Sequence, residues 1–194
     1  SLLWLKCDNR AQAETELAAG TLDYTHALGT VGLTWIHGID VADQWASDFQ
    51  KAREGMDVYS VRGEGSAGID NASFAFEYAW QDKTDGPEQA WYLQTGYTFA
   101  DLPWAPSITY RYTRYSAGWD SLFSGLSNGY GTWFQGEVAA NYAGPFNSNT
   151  GIHHVGVKVT PLENVTVGAL YFDFDTGELW KADGTSAEAT LVKD

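Results

Sequence analysis

Consecutive apolar residues are scarce in this chain. Over 194 residues, with a mean hydropathy of -0.30, no stretch approaches the roughly eighteen apolar residues of a transmembrane helix. That absence excludes a helical membrane protein but leaves β-barrels open, because half of every barrel strand is polar. Cysteine is nearly missing too: Cys7 stands alone, cannot form an internal disulfide and reads as an incidental thiol. Positive charge is short, with 11 Lys and Arg against 25 Asp and Glu and a net charge of -14. A surface of that sign repels polyanions, so nucleic acid is not expected as a partner. Proline is rare, five residues beside 21 glycines, a balance that suits strands joined by tight turns. No charged segment followed by an apolar one precedes Ser1, and the last residues, AEATLVKD, lack an aromatic strand. The chain therefore reads as a fragment of a longer protein.

What the chain has in plenty is aromatic side chains, nine Trp, eleven Tyr and nine Phe, set at a spacing of two. In residues 71–116 three runs alternate. Phe74, Phe76, Tyr78 and Trp80 share one parity against Ser73, Ala75, Glu77, Ala79 and Gln81. Trp91, Leu93, Thr95, Tyr97 and Phe99 oppose Tyr92, Gln94, Gly96 and Thr98, and Ile108, Tyr110 and Tyr112 oppose Thr109, Arg111, Thr113 and Tyr115. This is the period of a β-strand. Each run is about ten residues long, more than the five or six usual in soluble sheets and close to the nine to eleven that a tilted strand needs to cross a bilayer. Tyr and Trp near the run ends match the aromatic girdles of outer-membrane barrels. The same alternation also fits a soluble or surface carbohydrate-binding β-sheet that turns its aromatic side inward.

Along the rest of the chain, residues 1–24 are weakly patterned, with one strand expected near Gln12 to Leu17, and 25–38 form another strand around Val31, Leu33 and Trp35. The stretch 39–55 breaks the alternation. Val41, Trp45 and Phe49 recur at helical spacing, so a long loop with a short helix is expected there, capped by Asp40 or Asp43. Strand character resumes at 57–65, and two further strands are expected at 153–159 and 165–174 around the turn TPLEN. Connections then run long at 39–55, short at 67–71, intermediate at 83–89 and short at 101–105. Alternation of short periplasmic turns with longer external loops is the barrel pattern. Continuing it makes 117–149 one long external loop, with Trp133 to Tyr142 a short helix; Phe134, Val138 and Tyr142 share a parity, so a spanning strand is the alternative.

The stretches GYTFADLPWAPSITYRYTRYSAGWDSLFSGLSNGYGTWFQGEVAANY and NSNTGIHHVGVKVTPLENVTVGALYFDFD resemble the C-terminal half of the bacterial alginate-export porin family. The phrases PWAPSITYRY, SLFSG with GTWFQGE, and HHVGVKVTPLENVTVGALYFDFD carry the likeness, over residues 90–175. The resemblance implies a single-chain outer-membrane barrel of many strands that passes a solute through a charged lumen. This chain would then be about eight strands from its later part.

The expected fold is therefore all-β, an antiparallel transmembrane β-barrel fragment with long external loops containing short helices, with 1–194 as one partial domain. Lipid is expected against Phe74, Phe76, Tyr78, Trp80, Leu93, Tyr97, Ile108 and Tyr110. The pore lining and solute contacts fall to Arg62, Glu64, Glu77, Thr109, Arg111, Thr113 and Lys158. Charge on the lipid face near the midplane costs about 2–4 kcal/mol, which sends Arg111 inward, while Arg114 lies on the other parity near a strand end. A polyanion path calls for Lys and Arg, and here the cations share the wall with Glu64 and Glu77. His26, His37, His153 and His154 are scattered, with the last two on opposite faces, and no catalytic constellation stands out. Asp173 and Asp175 share a parity and read as solvated rim acids rather than a Ca²⁺ site. No enzyme activity, cofactor or resident metal is expected. The function that follows is passive transport or export of a polar, anionic, saccharide-like solute across the bacterial outer membrane.

Overall fold

The computed structural model describes residues 1–8, 13–84, 86–120, 122, 149–176, 179–180 and 186–187. Nine strands form one antiparallel sheet, each hydrogen-bonded to the next in chain order. They are β1 (Leu2–Lys6), β2 (Thr15–His26), β3 (Gly29–Val41), β4 (Asp57–Gly65), β5 (Ala72–Lys83), β6 (Gly86–Thr98), β7 (Ser107–Tyr115), β8 (Thr150–Leu162) and β9 (Val165–Thr176). A separate two-stranded pair joins β10 (Leu179–Trp180) to β11 (Ser186–Ala187). The only described helix is α1 (Asp48–Lys51). β1 and β9 are not paired with each other, so the sheet is open.

The organising runs at 71–116 are β5, β6 and β7, and two strands do follow near 153 and 165. Four expectations are corrected. Residues 1–24 hold two strands, β1 and most of β2, where one was read near 12–17; Ala18, Ala19 and Gly20 present so little polarity contrast that alternation there is nearly silent. The main sheet accordingly has nine strands and not eight. The connection read as intermediate at 83–89 is instead among the shortest, because β6 already begins at Gly86 and takes Pro87 into register opposite Asp82, so the expected alternation of short and long connections fails there. The helix is capped by Ser47, which accepts from the Gln50 amide, while Gln50 answers to the Ser47 amide. Asp43 instead accepts from the backbone N–H of Trp45 in a turn before the helix. The helix expected at 133–142 lies outside the described residues.

The connection from 42 to 56 does not project away from the sheet. Gly38 donates to the Met56 carbonyl and accepts from Gly55, both at 2.9 Å. A Cβ at Gly38 would lie 1.7 Å from the Arg53 carbonyl, so only glycine admits this close return of backbone. Arg53 is thereby aimed at the sheet's inner face, where its guanidinium grips Asp120 at 2.6 and 3.0 Å and reaches Thr15 of β2 at 3.4 Å. Gln81 of β5 holds the backbone of Asp120 from both sides, donating to its carbonyl at 2.5 Å and accepting from its N–H at 3.0 Å. Lys83 donates to the Gly118 carbonyl at 2.7 Å.

In a flat sheet β2 and β7 would stand about 24 Å apart at about 4.8 Å per strand. One arginine linking Thr15 to a residue just beyond β7 shows the sheet wrapping round this interior. Beside the pair lies the apolar core, one cluster of Leu17, Ala19, Ile36, Met56, Val58, Ala79, Ala90, Tyr115, Trp119 and Ile152 drawn from β2 through β8 and both inward connections.

The Arg53 and Asp120 side chains are 8% and 4% exposed, so removing one partner strands a buried charge. Arg53→Met alone or Asp120→Leu alone is expected to lower stability by about 3–5 kcal/mol, and the double variant by clearly less than the two together. Urea unfolding of the four proteins measures this; strictly additive losses would mean that the pair is not coupled.

Candidate functional site

Register carries the strand alternation across the whole sheet and sorts side chains into two faces. Every expected pore residue lies on the inner face and every expected lipid residue on the outer one. Two inner rows matter most. One runs Asp23, Gly32, Arg62, Glu77, Tyr92, Thr113, Ile152 and Phe174; the next runs Thr25, Thr30, Glu64, Ala75, Gln94, Arg111, His154 and Phe172. They form a polar band adjoining the apolar core on the side of the short turns.

Within the band the charged side chains hold one another. Arg62 donates to Thr34 and to Asp23, each at 2.5 Å. Glu77 stands opposite Arg62, accepts a 2.5 Å hydrogen bond from Ser60 and lies in the field of both Arg62 and Arg111. Its second oxygen makes no hydrogen bond among the described residues. Arg111 carries its guanidinium carbon over the Tyr92 ring, 3.8 Å from the centroid, and donates to Thr113 at 3.0 Å. His154, opposite Arg111, stacks on Phe172 at 4.5 Å and 4°. Arg111 and Glu77 are each 1% exposed, so both belong to the body of the wall. Glu64 and Lys158 are exposed, and with Arg62 and Asp23 they are the charges of this band that meet solvent.

Asp23, Thr34, Tyr92 and His154 were not among the expected lining residues. Tyr92 was legible in principle, an aromatic on the polar parity of its run. Asp23 was hidden because β2 was not recognised to its full length. Thr34 and His154 carried the same parity signal, opposite to Leu33 and Trp35 in β3 and shared with Lys158 in β8, but only the register shows which neighbours they meet.

The outer face is apolar across its middle and polar toward the long connections. Leu22, Leu33, Val31, Phe76, Leu93, Val157 and Val167 are exposed there, as are all eight residues expected against lipid. Trp35, Tyr59 and Trp80 lie side by side in one row. The next row toward the long connections is polar, with His37, Asp57 and Asp82. Ring donors point that way: Trp35 to Asp57 at 3.0 Å and Tyr78 to Gln89 at 2.6 Å. Tyr24, Tyr97, Phe99 and Trp104 gather at the short-turn end.

The polar edge slopes. On β3 its last member is His37; on β9 it is Asp173, whose row leads back through His153, Tyr112, Leu93, Phe76 and Gly63 to Val31, six residues below His37. Six residues over six strands, at about 3.4 Å per residue and about 4.8 Å per strand, is a slope of roughly 35°. The short turns step in the same direction. The Gly29 row, which closes the β2–β3 hairpin, meets β8 at Val155, yet the β8–β9 hairpin closes seven residues later at Leu162. His153 and His154 do point to opposite faces, His153 meeting the Tyr110 hydroxyl at 2.8 Å on the outer one.

Compared with models of protein families, with curated proteins and with solved structures, the chain matches none of them.

Proposed function

We propose that these strands are wall segments of a bacterial outer-membrane β-barrel that passively admits or exports a polar, saccharide-like solute, as the resemblance to alginate-export porins implies. The observation that carries this reading is the sloping polar edge. A membrane surface is level, so on strands tilted by about 35–45°, as in outer-membrane barrels, its trace across the hydrogen-bonded rows must descend by about one residue per strand. A carbohydrate-binding sheet in water has no level plane to respect and gives no reason for such a slope. Hydrocarbon against the outer face also accounts for its exposed Leu, Val and Phe. Indole and phenol groups whose polar ends turn toward the headgroup side behave as a girdle does.

For the solute, charge decides. Arg111 is spent on Tyr92 and Thr113, and Arg62 on Asp23 and Thr34, which leaves Lys158 as the freest inner cation. Anion preference in this part of the wall therefore rests on Lys158 and is opposed by Glu64 and Asp23. We narrow the proposed solute to a polar, sugar-like molecule on that ground.

Leu93→Arg, near the middle of the outer band, is expected to cost about 2–4 kcal/mol, against about 0–1 kcal/mol for Gln89→Arg at its edge. Urea unfolding from phospholipid vesicles compares them, and equal costs would remove the membrane from this face. In planar bilayers the full-length protein should conduct ions. Lys158→Gln should move the reversal potential toward cation selectivity by more than Arg111→Gln does, since the two changes remove equal charge and differ in exposure. The opposite order would take Lys158 out of the pathway.

A further inference from the structure

On the inner face, between β2 and β6, lies a cleft of about 330 Å³ lined by Asp23, Thr30, Gly32, Arg62, Glu64 and Tyr92. That is the small end of the range for ligand sites, about 300–1,000 Å³, and suits a single compact solute. The floor is built. Arg62 and Asp23 meet across Gly32, where a Cβ would come within 2.4 Å of the Asp23 carboxylate and 2.7 Å of the guanidinium. Glycine at that position is what lets the ion pair lie flat against the strand.

The donors and acceptors offered by this floor select a chemistry. A carboxylate solute is best held by a guanidinium presenting two parallel N–H groups. Each terminal nitrogen of Arg62 already donates one N–H, to Thr34 and to Asp23, and its charge is paired with the Asp23 carboxylate, so a carboxylate solute would have to compete with Asp23 for that fork. The charge of the cleft without a counter-ion among the described residues is the Glu64 carboxylate, while Asp23, paired with Arg62 through one oxygen, keeps its other oxygen as an acceptor. Asp23 is half exposed, and Glu64 is exposed with no hydrogen-bond partner among the described residues. They repel an anion and accept readily from hydroxyl groups, while the Thr30 hydroxyl can donate or accept.

We propose that this cleft is a binding subsite for a neutral polyhydroxylated ring, a sugar or cyclic polyol, and that it discriminates against uronic acids. The subsite deepens the channel reading and rests on it only for its place on the transport path.

The test is saturation-transfer NMR on full-length protein in detergent micelles, with sucrose and galacturonate as probes, alongside planar-bilayer conductance. Sucrose should show saturable transfer and galacturonate none. Gly32→Ala, which adds no charge, should weaken sucrose at least about tenfold by displacing the ion pair. Asp23→Asn, which keeps the shape of the floor, should weaken sucrose about threefold or more and let galacturonate bind by freeing Arg62. Galacturonate binding to the unaltered protein as tightly as sucrose would overturn the proposal, and so would sucrose binding that neither substitution changes. Sucrose binding with these responses in a protein that does not conduct removes the channel and keeps the subsite. Conductance without saturable sucrose removes the subsite and keeps the channel.

Discussion

Register is the constraint on which everything else depends. Side chains alternate with a period of two, so a slip of one residue in any of the eight ladders would exchange the faces of every strand beyond it. A slip between β4 and β5, for example, would set Arg62 on one face with Phe76, Leu93 and Tyr110, turn Glu77 and Arg111 to the other with Val31 and Leu33, and split the apolar core. The tight hairpins hold the ladders in place: Ala27 and Leu28, and Glu163 and Asn164, each join strands with two residues. Where connections are long, register is held from inside. The Gly38 bonds to Met56 and Gly55 extend the β3–β4 pairing beyond the strand end, and Gln81 fastens the chain just past β7 to β5.

The inner face carries its charge in two different ways. Near the long connections Arg53 and Asp120 form a closed pair with every strong contact satisfied within the protein. Such a pair is poor evidence for net stability, since desolvation offsets most of the attraction, but it specifies one arrangement of two connections that are distant in sequence. Nearer the short turns the charges form an incomplete network. Asp23 and Glu64 face open space, and Glu77 keeps an oxygen without a hydrogen bond among the described residues. Asp23 and Glu64 leave acceptors open to solvent, whereas the second Glu77 oxygen is sealed in the wall and the Arg53–Asp120 pair is closed off where the protein folds on itself.

Much of this was legible in the sequence, for a reason that also explains the failures. β5, β6 and β7 set Phe, Tyr, Trp and Leu against Ser, Thr, Gln and Glu, so parity alone assigned Arg62, Glu64, Glu77, Thr109, Arg111, Thr113 and Lys158 to one face. β1 and β2 are short or built of Ala, Gly and Thr, and parity has nothing to read there. Burial was invisible as well. Arg111 and Glu64 share a face and a row, yet one is buried and the other exposed, because Tyr92, Thr113 and His154 cover the first. Alternation tells which side a residue faces, and only the neighbours on adjacent strands tell what it meets there.

Strand direction limits how such a sheet closes. In a meander of nine antiparallel strands β1 and β9 run the same way, so joining them directly would set a parallel ladder into an otherwise antiparallel ring. A second copy beside the first, in the same orientation, meets it β9 to β1 and has the same fault. An antiparallel ring containing these nine strands must therefore contain an odd number of others. If such a ring is the proposed barrel, the descent of the polar edge adds a condition: any further strands would have to continue it at about one residue per strand for a level plane around the ring to meet itself. Leu2 and Trp4 on the edge strand β1 are exposed and apolar, as an outer wall continued in that direction would require.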